Sequence, residues 1–328
     1  MTYPNLYAPA SDTTGPATVE TAVVALLGYF RRHPDLQCLL LVDPQPRELP
    51  VSGKGKPALA ELPRVPLPIE HDAFPEHHRP YLLALDPSAS HFDTWLAESV
   101  RVALSDRRPD AMARGPGQRI GGWLATSASA EDLAQHLSRH VLQTNDRGAT
   151  CALRFYDSRA FALLWPMLSL MQRETLLGPV KVWHAFDAGA RLRGHAGLYP
   201  PMLEHLMLKP EQWAAIRRHG VVNRALALHS DATGRQPDPD DVEAAVAAAV
   251  RAEHYGLHQR DDRLAFIGHA LDWHPYFDSH PRVIQALGEV SADRFYTAAA
   301  SELTEQEIDE IRGGAWCAGY NKKNGTRV

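Results

Sequence analysis

"RFYDSRAFALLWPMLSLMQRETLLGPVKVW" (Arg154–Trp183) carries the decisive junction of this chain. It closes an apolar run, "ATCALRFY" (149–156), which reads as a strand. In that strand Leu153 and Phe155 share one face, and Arg154 and Tyr156 the other. Asp157 sits where the strand ends and is placed to accept bonds from the first turn of a following helix. Phe161, Leu164, Trp165 and Leu168 recur at i, i+3, i+4 and i+7, a core-facing stripe on that helix. Gly178-Pro179 then breaks the chain before a second strand-like run, "VKVW", ending at Trp183. A strand, a helix and a strand in this order read as a crossover unit.

Upstream the same alternation recurs. Val19, Val23, Leu26 and Phe30 predict an amphipathic helix over 17–32, and "QCLLLVD" (37–43) a buried strand. Residues 44–80 hold nine prolines and read as a long irregular excursion. "YLLAL" (81–85) is a strand, followed by a helix that Ser90 caps with Asp93 at its third position. "SDRRPDAMARGPGQR" (105–119) is a basic, Gly/Pro-broken loop. "GGWLAT" (121–126) is a strand, and Ser129 with Asp132 opens a helix bearing Leu133, Leu137 and Val141. The fold class expected is an α/β N-terminal lobe, a mainly parallel sheet with flanking helices, followed by an all-α C-terminal lobe.

The composition changes near residue 198. Pro210 is a first helical residue before "EQWAAIRRHG", which Gly220 ends. Asp238 to Asp241 start the Ala/Val-rich "VEAAVAAAVRAEHYG". Thr304 and Glu307 form a capping box on a helix that ends at Gly313-Gly314. The domains expected are 1–197, 198–313 and a tail, 314–328.

Composition excludes several classes. A net charge of -5 gives no footprint for nucleic acid or an anionic membrane surface. Three distant cysteines (Cys38, Cys151, Cys317) fit a reducing compartment. No apolar run approaches the roughly 20 residues of a membrane span, and no leader pattern is visible, so no stable membrane insertion and a cytoplasmic location are expected.

Catalytic signatures do not emerge. "SGKGKP" (52–57) lacks phosphate-loop spacing. "GPGQRIGG" (115–122) is not a dinucleotide fingerprint and precedes a strand. No G-x-S-x-G elbow or H-E-x-x-H motif occurs. His136 and His140 lie four apart on a predicted helix, and His254 and His258 straddle Gly256. His71, Asp72, His77 and His78 cluster in one loop; the two pairs lack a third ligand, and no cysteine partner lies near the loop. Leu271, Trp273 and Phe277 read as a helix-end core. No cofactor, catalytic residue or metal site is therefore expected. At the Asp157 corner either Arg154 or Arg159 is placed to form a bidentate pair with the aspartate, and Ser158 is the only nucleophile at hand. The corner reads as a structural clamp or as a contact site for a partner. In the second case Tyr156 and Trp183 are the aromatic anchors. The alternative class is an α/β enzyme, such as a metal-dependent hydrolase, with a cleft near Asp157 and Arg159 or at the His71–His78 loop.

The motif "RFYDSR … LLGP … W" resembles the adaptor/chaperone family of bacterial type VI secretion, the Tap or TEC proteins. In that family the wording is close to "RFYDPR … FFGP … W". Arg154, Phe155, Tyr156, Asp157, Arg159, Gly178, Pro179 and Trp183 match, while Ser158 replaces a proline and Leu176-Leu177 two phenylalanines. "LLLVD", "PYLLAL", "FDTWL", "GWLATS" and "LAQHLSRHV" follow the family in order, so the similarity spans roughly residues 20–185. The resemblance implies a non-enzymatic adaptor. Such a protein holds a cognate effector, often one with a PAAR tip, an Rhs cage or a hydrophobic N-terminal region, and helps load it onto the VgrG spike.

Overall fold

The computed structural model describes residues 15–44, 47–50, 58–72, 74–115, 117–197, 203–291 and 293–317. The 52–57 segment, the start of the 198–210 stretch and the tail from 318 lie outside them. The chain divides into two compact units, 1–217 and 218–328.

The first unit opens with α1 (Val19–Arg32), capped by Thr18, whose hydroxyl accepts from the Thr21 amide at 3.1 Å. Its buried stripe is Ala22, Leu26, Tyr29 and Phe30, so Val19 and Val23 lie at its edge and not at its centre. There follow β1 (Gln37–Val42), β2 (Arg64–Pro66), β3 (Tyr81–Leu85), α2 (Phe92–Asp106), α3 (Pro109–Ala113), β4 (Ile120–Thr126) and α4 (Ala130–Val141). Then come β5 (Leu142–Thr144), β6 (Thr150–Ala152), α5 (Ser158–Leu164), α6 (Leu170–Leu177), β7 (Val180–Phe186) and β8 (Leu192–Ala196).

The main sheet runs β2-β3-β1-β4-β7-β8, and every neighbouring pair is antiparallel. This corrects the expected parallel sheet, for a physical reason. Continuous apolar runs report burial on both faces, and here that burial comes from helices on both sides of an antiparallel sheet. Cys38, Leu40 and Val42 face a core made with α1 and α2, whereas Leu39 and Leu41 face one made with α4, α5 and α6. The crossover connections do exist, because β3 and β4 run parallel to each other. However, β1 is inserted between them and pairs with both.

Two further expectations change around the opening stretch. The strand at 149–156 shrinks to β6, which pairs only with β5 in a separate hairpin. Residues 154–157 form a turn closed by the Asp157 amide on the Arg154 carbonyl at 3.0 Å. Tyr156 is therefore buried with Phe155 and not opposite it. The single apolar helix becomes two, because Pro166 converts Trp165–Met167 to a 3-10 turn and Ser169 caps α6 afresh. Similarly, α2 starts at Phe92 with no side-chain cap, so Ser90 does not open it.

The second unit contains most of α7 (Pro210–Thr233), then α8 (Pro239–His254), α9 (Arg260–Asp272), α10 (Pro281–Gly288), α11 (Tyr296–Ala300) and α12 (Glu305–Gly313). Gly220 does not end α7. A glycine inside a helix costs only about 1 kcal/mol relative to alanine, and the buried Val221, Val222, Ala225 and Leu226 hold the helix beyond it. The predicted starts at Asp238 and Thr304 are both present as capping boxes, and Gly314 closes α12 in the left-handed conformation. Phe266, Phe277 and Tyr296 are fully buried, whereas Leu271 and Trp273 are only half-buried.

Candidate functional site: a buried arginine–aspartate array

Antiparallel pairing brings the end of β1, the start of β4 and the end of β7 together at one end of the sheet. Asp43, Arg119 and Asp187 stand at those ends, and the Asp43 amide bonds to the Arg119 carbonyl at 2.8 Å. The last residue of α2, Asp106, and its neighbour Arg107 reach the same place, as does the turn before α5.

Asp157 caps α5. Its Oδ1 accepts from the Arg159 amide at 3.0 Å, and its two oxygens accept from Arg159 Nε at 3.1 Å and Nη2 at 2.8 Å. The carboxylate is 5% exposed. Burial pushes its pKa up, but the Arg159 guanidinium outweighs that and holds it below the ordinary carboxylate value. Arg154 does not join this fork. Its Nη2 donates to the fully buried Asp43 at 2.8 Å, and its guanidinium lies over the Tyr156 ring. Asp106 repeats the pattern, gripped by Arg119 Nε at 2.9 Å and Nη2 at 2.7 Å, with Arg47 at 2.6 Å. Asp187 accepts from Arg191 Nε at 2.9 Å and Arg193 Nε at 3.1 Å.

Arg107 joins these pieces. It is 1% exposed and donates to Ser158 Oγ at 2.9 Å, to the Phe186 carbonyl at 2.8 Å and to the Asp187 carbonyl. Burial lowers its pKa to about 10, opposed by Asp187 and Asp157, so it stays charged at neutral pH. The Ser158 hydroxyl is thus buried and accepts a hydrogen bond from a guanidinium, which suits an anchor more than a nucleophile.

The rest of the motif is packing. Trp183 is fully buried, stacks on Phe161 at 4.5 Å, and donates from its indole to the Gly121 carbonyl at 3.2 Å. Neither Tyr156 nor Trp183 presents a ring at the surface. Gly121 is the extra residue of a bulge between β1 and β4, and a Cβ there would lie 2.4 Å from the Tyr156 carbonyl. Gly122 leaves room for the Trp183 indole. Gly178 adopts φ +54, and a Cβ on it would meet the His136 ring at 2.3 Å. The Pro179 carbonyl accepts from Thr126 Oγ1 at 2.9 Å.

Sequence reasoning missed Asp43, Asp106, Arg107, Arg119 and Asp187, because "SDRRPDAMARGPGQR" read as a solvated loop. The doubled glycine opening "GGWLAT" was the available signal, since glycine in an apolar strand marks a close backbone approach.

The histidine groups are placed as follows. His136 and His140 lie with ring centroids 4.9 Å apart, and His136 Nε2 contacts the Leu176 carbonyl at 3.1 Å. His77 and His78 lie 4.2 Å apart in a 3-10 turn. Among the described residues no three His, Cys, Asp or Glu side chains gather as a metal site, and no helix is long and apolar enough to cross a membrane.

Residues 71–175, about a third of the chain, match a family model described as a domain of unknown function (DUF4123). The match runs from the histidine loop to within α6. It includes the Arg154–Arg159 turn and stops short of Gly178, Pro179 and Trp183. No curated protein and no solved structure matches the chain.

Proposed function

We propose that the chain is an effector adaptor of a type VI secretion system, which binds a cognate effector, keeps it stable and soluble, and assists its loading onto the VgrG spike. The observation that carries this reading is the Arg154–Arg159 turn. It carries the Arg154–Arg159 part of the adaptor motif, and that part lies inside the segment that matches the domain of unknown function. Its polar side chains are also engaged: Asp157 with Arg159 inside the turn, Arg154 with Asp43 and Ser158 with Arg107 outside it. A motif so engaged fixes the joint of two helical layers and a sheet, and leaves other surfaces for protein partners. The protein acts by binding and not by turnover, in the cytoplasm, before secretion. The effector is one with a PAAR, Rhs or hydrophobic N-terminal region.

Co-expression with the effector-like product of the adjacent gene, followed by size-exclusion chromatography, tests this. Co-elution is expected, with the effector insoluble or degraded when expressed alone. Separate elution of two stable proteins overturns the pairing, and metal analysis with activity screens then tests the hydrolase alternative.

A further inference from the structure

The second unit carries an open groove between α7 and α9 of about 450 Å³, within the roughly 300–1,000 Å³ of ligand pockets. Ala225, Leu228 and Ala232 of α7 and Leu264, Ala265 and Gly268 of α9 form its floor. Leu228 is 37% exposed, and a Cβ added at Gly268 would meet nothing within 4 Å. Among the described residues the floor is therefore apolar, built mostly from small side chains, and open at Leu228 and Gly268. Small residues on both walls let a third helix approach closely, in the manner of helix-in-groove recognition.

Charge decides what kind of helix fits. Asp261 and Asp272 line the groove toward the two ends of α9. Eleven residues separate them, three helical turns and about 16 Å, so both lie on the face that carries Leu264, Ala265 and Gly268. Asp272 is fixed in place. His229 Nε2 contacts Arg235 Nη2 at 3.3 Å, and arginine only donates, so Nδ1 carries the hydrogen that Asp272 accepts at 2.7 Å. The Asp272 side chain remains 49% exposed and so open to a partner.

We infer that the α7–α9 groove is a docking site for an amphipathic helix of a partner protein, with an apolar face on the small-residue floor and a basic residue near each end to meet Asp261 and Asp272. The inference rests on the adaptor reading only in naming that partner as the effector, and its chemistry is tested without one.

The probe is a labelled synthetic helix of about 18 residues, five turns, with a leucine–alanine face and lysines eleven apart. A twin peptide carries glutamates at those two positions. Fluorescence anisotropy is expected to show binding of the lysine peptide to the full chain and at least about ten-fold weaker binding of the glutamate peptide. Gly268→Leu fills the groove with a side chain that has open space around its Cβ. It is expected to leave the melting temperature unchanged or higher and to abolish peptide binding. Asp261→Lys with Asp272→Lys is expected to reverse the preference between the peptides. Equal binding of both peptides, or undiminished binding to Gly268→Leu, overturns the inference. A concentration-dependent dimer that Gly268→Leu abolishes makes the occupant a second copy and also overturns it. Effector that co-elutes equally with wild type and Gly268→Leu removes the groove while leaving the adaptor reading intact. Failure of wild type to co-elute removes the adaptor reading, and the peptide result still judges the groove.

Discussion

Asp157 holds together several things at once: the cap of α5, a bidentate pair with Arg159, and the charge balance around Arg107. Asp157→Ala deletes the cap and leaves Arg159, whose side chain is only 19% exposed, without its carboxylate. The first unit should lose about 3 kcal/mol, read by urea unfolding. Asp157→Asn should recover part of this, because the amide oxygen still caps. The folded-state pKa of Asp157 is depressed, so its contribution is complete above the ordinary value of 3.8 and disappears as the pH falls below it. The difference between wild type and Asp157→Asn should accordingly shrink in acid. Gly178→Ala meets two obstacles, the positive φ and the His136 ring. It should cost about 1–3 kcal/mol, and the His136→Ala background should relieve the steric part alone. A loss of the same size in both backgrounds would refute the contact. The Asp157–Arg159 fork was legible in the sequence because its partners are two residues apart. Arg154 with Asp43, separated by 111 positions, was not. No local pattern distinguishes a buried arginine in "SDRRPD" from a solvated one.

Most helix starts were legible, since a cap depends on spacings of three residues, although Ser90 with Asp93 does not cap α2. The boxes at Asp238 and Thr304 and the cap at Ser129 stand where the sequence puts them. Helix ends and strand directions were less so. A glycine announces a stop only when no buried stripe continues past it, and α7 continues past Gly220. That glycine is exposed, and a Cβ on it would touch nothing within 4 Å. Gly220→Ala should therefore stabilise the protein by about 0.5–1 kcal/mol, measured as a higher urea midpoint with an unchanged slope. Strand direction was illegible for a different reason. "CLLLV" reports that both faces of β1 are covered, and parallel and antiparallel sheets satisfy that equally when helices lie on both sides. The inserted position of β1 depends on pairings with Leu82 and Gly122, far along the chain.

Each unit has its own buried set: two layers around the sheet in the first, and Phe266, Phe277 and Tyr296 among helices in the second. Buried histidines give the first unit a pH response. Burial lowers His184 to about 3, and burial with the neighbouring His136 lowers His140 to about 3. Both are neutral in the fold and bind protons only after unfolding. Stability is therefore complete above the ordinary value of 6.5 and falls as the pH drops from there toward 3, by up to about 1.4 kcal/mol per pH unit for each ring. Urea midpoints across pH 4–7 should show this slope, and His140→Leu should flatten it. An unchanged slope would mean the ring is protonated in the fold. The second unit should respond to Phe266→Ala by about 3–5 kcal/mol, followed by near-ultraviolet dichroism.

The insertion of β1 between β3 and β4 also has a consequence for synthesis. β1 emerges from the ribosome early, yet its neighbours arrive only with residues 81–85 and 120–126, and β4 waits in turn for β7. Until β4 has been made, the Leu39–Val42 run is an apolar strand lacking at least one of its two partners. The nascent chain is then most exposed to misassociation, and its folding is governed by distant pairings that close late. Slowing translation between β1 and β4 should lengthen that exposure without altering the finished protein.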